Sequence, residues 1–147
     1  MKHTAIMMMS RIHDLTQKWL RTELSLAGLT GVAPSHGDVL ALLFMQGEAT
    51  MRELAAFAHR TKPTMTVLVD KLEEMGLVRR MKAVDDARGV VVSLTPSGES
   101  LRGVFDSISQ RLVGSVYAPL TRSEGAELER LLAKVLSGLE KSSETTK

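Results

Sequence analysis

Residues 50–95 read TMRELAAFAHRTKPTMTVLVDKLEEMGLVRRMKAVDDARGVVVSLT, from Thr50 to Thr95. Thr50 and Glu53 form a T-x-x-E capping box, and Leu54, Ala55 and Ala58 follow on one face, so a short helix begins at Met51. His59 and Arg60 make a turn and Thr61 caps the next helix. Pro63 is tolerated there because a first-turn residue has no intrahelical N–H bond to lose. Met65, Leu68, Val69, Leu72 and Met75 then trace one buried stripe over residues 62–75, and Gly76 closes the helix. Residues 77–82 and 90–94 suit two strands, joined by turn-forming residues 84–89.

Helix, turn, helix and hairpin in that order predict a winged helix-turn-helix: mainly α, with a small β-hairpin wing. Its charges are polarised. Residues 62–67 of the second helix hold no acid, whereas its later half carries Asp70, Glu73 and Glu74. A recognition helix presents its N-terminal residues to base edges, and its dipole favours phosphate at that same end. Thr64 and Thr66 can bond bases or touch a thymine methyl, and Lys62 can reach phosphate or guanine, with Thr61 and Pro63 beside them. Arg88, at the hairpin tip, can enter a minor groove. Arg52, Arg60 and Lys71 are the expected backbone contacts, and Asp86 is expected to bond within the wing and orient Arg88.

These residues also carry a resemblance. Glu53-Leu54-Ala55, Thr64-Met65-Thr66, Leu68-Val69-Asp70-Lys71-Leu72, Gly76-Leu77-Val78, Asp86-Ala87-Arg88 and Ser93-Leu94-Thr95-Pro96-Ser97-Gly98 follow one another as in the MarR family of bacterial transcription regulators, which this chain resembles over roughly a third of its length. Two positions depart from that pattern. Val67 stands where many relatives carry a basic residue, and Ala87 replaces the middle arginine of the common D-R-R wing triplet. Both departures shift the burden of backbone contact onto Lys62 and Arg88.

At 147 residues with 44% apolar content, the chain fits one compact domain or one subunit of an intertwined oligomer. No run approaches the ~18 apolar residues of a membrane span, and residues 5–9 are too short for a signal-peptide core, so a cytoplasmic protein is expected. Without cysteine, the chain has no disulfide framework, no thiolate metal site and no cysteine-based oxidant sensor. The net charge is only +2, and all of that excess falls in residues 52–95, with eight basic and six acidic side chains. So small a surplus can arise by chance; the order of the motifs decides.

Outside the reader, residues 5–27 carry Met8, Ile12, Leu15, Trp19 and Leu26 at near-helical spacing, and Gly28 and Gly31 end that helix. Met7 to Met9 read as adaptable packing. Pro34 and Ser35 start another helix, with Val39, Leu42 and Leu43 inward and Gly47 as its stop. After the hairpin, Thr95-Pro96 signals a helix whose seam runs Leu101, Phe105, Ile108, Leu112, Val116 until Pro119 breaks it. Thr121 and Glu124 form a second capping box, ahead of a closing helix with Leu128, Leu131, Leu132, Val135 and Leu139. The polar tail of residues 142–147 is expected to fray. The whole of 1–147 is thus expected to be a single domain, with residues 35–95 as DNA reader and residues 5–30 and 96–140 as the dimerising part. Two such narrow terminal helices suggest subunits that interleave, although a monomeric helical cap is also open. A homodimer with readers one duplex turn (~34 Å) apart would match a palindrome.

His3, His13, His36 and His59 are scattered, and none pairs with a second ligand at i, i+4 spacing, so no metal or other cofactor is expected. The resemblance implies a small aromatic or phenolic effector at the junction of reader and dimerising part. Trp19 and His36 are its candidates, although ordinary core packing for Trp19 and a capping role for His36 remain open. No phosphate-binding glycine loop, nucleophile elbow or paired catalytic motif occurs, and the neighbours Asp85 and Asp86 would point apart in a turn. No enzyme is expected; the dimerising arm of one would leave no room here for a catalytic domain. The reading is therefore a dimeric regulator, with repression implied by the family and release by an effector. The alternative is a winged helix that docks an acidic protein.

Overall fold

Helix starts fall where a side chain can satisfy a free amide. In the computed structural model, which describes residues 4–144, α1 spans Thr4–Leu26, α2 Pro34–Gln46, α3 Met51–Phe57 and α4 Lys62–Glu74. Beyond the wing come α5 (Pro96–Glu99), α6 (Arg102–Tyr117) and α7 (Arg122–Glu144). The Thr50 hydroxyl accepts the Glu53 N–H at 3.1 Å, and the Glu53 carboxylate accepts the Thr50 N–H at 2.8 Å. Thr61, Thr95 and Thr121 accept from Thr64, Gly98 and Glu124 in the same way, and each such cap is worth about 1 kcal/mol. These starts are where the threonines predicted them. His3 and residues 145–147 lie outside the described residues, and α7 carries through Ser142 and Ser143 to Glu144, past the point where fraying was expected.

The sheet has three strands, one more than the expected hairpin. Strands β2 (Val78–Lys82) and β3 (Val90–Leu94) form the hairpin, and β1 (Glu48–Thr50) pairs antiparallel on the other side of β3, in the order β1-β3-β2. Ala49 faces Val92, which faces Arg80 in turn. A three-residue strand has no periodicity of its own, and only its distant partner reveals it.

Leu40, Leu43, Leu54, Met65, Val69, Leu72, Val78 and Val92 are fully buried and form the core beneath this sheet. Thus the apolar stripe of α4 points inward and its opposite face is left to solvent. Two backbone positions fix the turns around it. His59 takes a left-handed conformation (φ 51°), unusual for a side chain with a Cβ, and so ends α3 and starts the approach to α4. Gly98 packs against the chain itself: a Cβ there would stand 2.0 Å from the Leu77 carbonyl oxygen. Thr95 ties down the same place, its N–H on the Leu77 carbonyl at 3.1 Å and its hydroxyl on the Gly76 carbonyl at 2.5 Å.

The seam expected to run unbroken after Thr95 is interrupted. Between α5 and α6 the Leu101 N–H bonds the Gly98 carbonyl, a tightened i→i−3 turn. Arg102 anchors the start of α6, donating to the Phe44 carbonyl at 2.7 Å and lying over the Phe44 ring. The chain divides into two compact units, the first through Ile108 and the second from Ser109. In the second, Tyr117 donates to Glu129 at 2.5 Å, and Gly125 lets the Tyr117 ring approach α7.

Candidate nucleic-acid interface

The first half of α4 is an open surface. Lys62, Pro63, Thr64, Thr66 and Val67 are all exposed, and Thr61 caps the helix at their edge. The Thr61 hydroxyl donates to the Thr64 hydroxyl at 2.9 Å, which leaves Thr64 its own proton to give. The Thr66 hydroxyl instead donates to the Lys62 carbonyl at 3.0 Å and retains only acceptor capacity. Arg52 on α3 and Arg60 in the turn are exposed nearby in the chain. Among the described residues, neither Arg52 nor Lys62 forms an ion pair.

The second half of α4 is occupied. Arg80 of β2 donates to Asp70 at 2.6 Å and to Glu73 at 3.1 Å, and its backbone N–H meets Glu73 at 3.0 Å. Lys71 pairs with Glu74 at 3.8 Å. The acids that sequence reasoning treated as a region phosphate avoids therefore also seat the wing. Arg79, exposed on the same strand, is a further cation without an ion pair among the described residues, and sequence reasoning passed it over. Strand alternation was the available signal, since Arg79 and Arg80 must point to opposite faces.

Arg88, the expected groove contact at the hairpin tip, is held within the protein. It ends a short 3₁₀ turn, Asp86–Arg88, and its guanidinium reaches back to Glu48 of β1 at 3.0 Å and Glu53 of α3 at 2.9 Å. Glu53 thereby serves its capping box and the wing together. The Thr50 amide, followed by Arg88, holds its carboxyl below the usual range. Neither acid lies near Arg88 in sequence, so the fork could not be read locally. The Asp86 side chain lies outside the described part of the structure. Beside it, Asp85 accepts the Ala87 N–H at 3.0 Å within the turn.

The two effector candidates lie in different helices, Trp19 in α1 and His36 in α2. Trp19 is half-buried and packs against the core cluster. His36 Nδ1 accepts the Ala33 N–H at 2.9 Å at the start of α2. Burial, then the Lys71 charge, pushes its pKa below the ordinary value of 6.5. Close by in sequence, burial raises the Asp38 carboxyl, and the Arg60 charge opposes that rise. Among the described residues no group of three or more His, Asp or Glu could hold a metal ion, and no helix is long and apolar enough to cross a membrane.

An open, acid-free helix start beside a seated β-hairpin defines a winged helix-turn-helix protein. The sequence profile of the MarR family matches residues 32–90. The transcriptional regulator FarR of Neisseria gonorrhoeae is 32% identical over 103 residues, 70% of this chain and 68% of FarR. Among solved structures, a mutant MarR from E. coli complexed with operator DNA superposes with a TM-score of 0.79 at 26% identity, over 91% of this chain and 94% of that one. The MepR–DNA complex of S. aureus gives 0.78 at 26% identity, over 94% and 96%. The chain belongs to the MarR family of transcription regulators. It is a regulator, not an enzyme.

Proposed function

We propose that this chain is a homodimeric, sequence-specific DNA-binding regulator that occupies a short palindromic operator. The observation that carries the reading is the exposed, acid-free start of α4, where Lys62, like Arg52 on α3, forms no ion pair among the described residues. In this reading Thr64 and Thr66 meet base edges, Thr61 and Pro63 set the helix entry, and Lys62, Arg52, Arg60 and Lys71 hold the backbone. Arg88 enters the adjacent groove by exchanging Glu48 and Glu53 for the duplex. The DNA complexes of the MarR mutant and MepR, so similar in fold, support the same docking.

Unpartnered apolar faces support the dimer. Ile6, Met7, Met8, Ile12 and Leu15 are at least half exposed on α1, and Leu131, Leu132, Val135, Leu136 and Leu139 stand out along α7. A stripe of that size on a helix calls for a partner, and a second copy of residues 5–30 and 96–140 supplies one. Repression is the proposed sign of regulation, relieved by a small aromatic or phenolic effector near Trp19 and His36 in a cytoplasmic setting.

The test is fluorescence anisotropy of the purified chain with duplex DNA from upstream of its own gene and with a scrambled duplex, over a salt series. The expected result is saturable preference for the native duplex, two subunits per site, and affinity that falls as salt rises. Equal, weak, salt-insensitive binding of both duplexes would point instead to a winged helix that docks a protein.

A further inference from the structure

The outward face of α4 carries an apolar strip that its charges do not explain. Val67 is 67% exposed, one turn beyond the exposed Pro63 and on the same face, with Thr64 and Thr66 on its flanks. Residues 62–67 include no Arg, Asn or Gln, so this half of the helix has none of the side chains that pair two-pronged with guanine or adenine, apart from the point charge of Lys62. A single exposed valine is ordinary on a protein surface. This one stands in the acid-free half of α4 behind Lys62, a cation with no ion pair among the described residues, and that charge favours duplex DNA as the surface opposite it. The apolar group that a major groove offers there is the 5-methyl of thymine.

We propose that Val67, with Pro63 beside it, is a specificity-determining residue that reads thymine through its 5-methyl group. The proposal rests on α4 being the DNA-reading helix. A basic side chain at this position would add a phosphate contact indifferent to sequence, whereas valine gives that up for a contact only a methylated pyrimidine can make. The Thr64 hydroxyl proton, given to no acceptor among the described residues, is available to the thymine O4 acceptor alongside.

The experiment begins with the full chain selecting duplexes from a random-sequence library, and the enriched duplex becomes the probe. If nothing is enriched, DNA reading itself fails and the proposal falls with it. With an enriched duplex, each thymine is replaced singly by deoxyuridine and the Kd measured by anisotropy. At one thymine in each half-site, loss of the methyl should weaken binding about fourfold, the factor one buried methyl corresponds to. Val67→Ala should abolish that difference while leaving affinity for a scrambled duplex and the salt dependence unchanged. Cytosine at the same place, with and without a 5-methyl, separates the two methylated pyrimidines, and thymine should bind better than 5-methylcytosine. The proposal is overturned if no deoxyuridine weakens binding or if the loss persists in Val67→Ala. It is overturned equally if 5-methylcytosine matches thymine, which would make the valine a reader of methylated DNA.

Discussion

Two sets of cations share the winged helix. Arg80 and Arg88 are each gripped by two carboxylates, whereas Arg52, Lys62 and Arg79 form no ion pair among the described residues. The gripped pair belongs to the wing, and each arginine ties the hairpin to something outside it: Arg80 to the end of α4, and Arg88 to β1 and the start of α3. The unpaired set lies on α3, at the start of α4 and on the outer side of β2. A positive charge in this fold is thus either a strut or a contact waiting for a polyanion, and its carboxylate neighbours decide which. Arg88 sits between the two roles, because a duplex can take the place of Glu48 and Glu53.

The comparison can be broken first at the root of the wing. Gly98→Ala would push a methyl into the Leu77 carbonyl, and should lower stability by about 3 kcal/mol, seen as an earlier urea midpoint. An unchanged midpoint would mean that α5 gives way freely and does not hold the wing. Next comes Arg88→Ala. If the fork opens for DNA, operator affinity should fall by about 1–3 kcal/mol with the dimer intact. A pure strut would instead cost about 1 kcal/mol of stability or less and leave affinity alone, since the three side chains of the fork are each at least a third exposed.

Lys62→Ala tests the unpaired set. It should weaken every duplex alike by about 1 kcal/mol and lessen the salt slope by about one ion, as loss of one phosphate contact would. A loss confined to one sequence would move Lys62 from backbone to base.

The smallest effect concerns His36, near the Lys71 charge. Its Nδ1 can accept the Ala33 N–H only while the ring is neutral there, and burial followed by Lys71 lowers its pKa in the folded state. The unfolded chain takes up that proton first as pH falls, so this contribution is whole above about 6.5, the ordinary imidazole value, and is lost as pH drops through the lowered folded value. Chemical denaturation across that range should show the decline, and His36→Gln should flatten it. A pH profile identical in the variant would remove His36 from the account.

Much of the frame was legible because its signals are local. The capping threonines Thr50, Thr61, Thr95 and Thr121 act on amides three residues away, and the α4 stripe of Met65, Leu68, Val69 and Leu72 repeats within one helix. Those distances are short enough for the chain order to carry them. The turn at His59 and Arg60 was legible but its left-handed backbone was not, since glycine or asparagine is the usual mark of such a position. The short turn at Leu101 was hidden by a seam whose apolar spacing runs straight through it.

By itself, then, the amino-acid sequence determined the helix starts, the inward face of α4, the acid-free outer half of that helix and the family to which the chain belongs. Tertiary structure alone decided that Glu48–Thr50 is a strand, that Asp70 and Glu73 seat Arg80, and that Arg88 turns back on Glu48 and Glu53. The reason is distance along the chain. A cap or a helical stripe is closed by neighbours that the backbone delivers automatically, but the partners of Arg88 lie 35 and 40 residues away, and only the folded sheet brings them within a hydrogen bond.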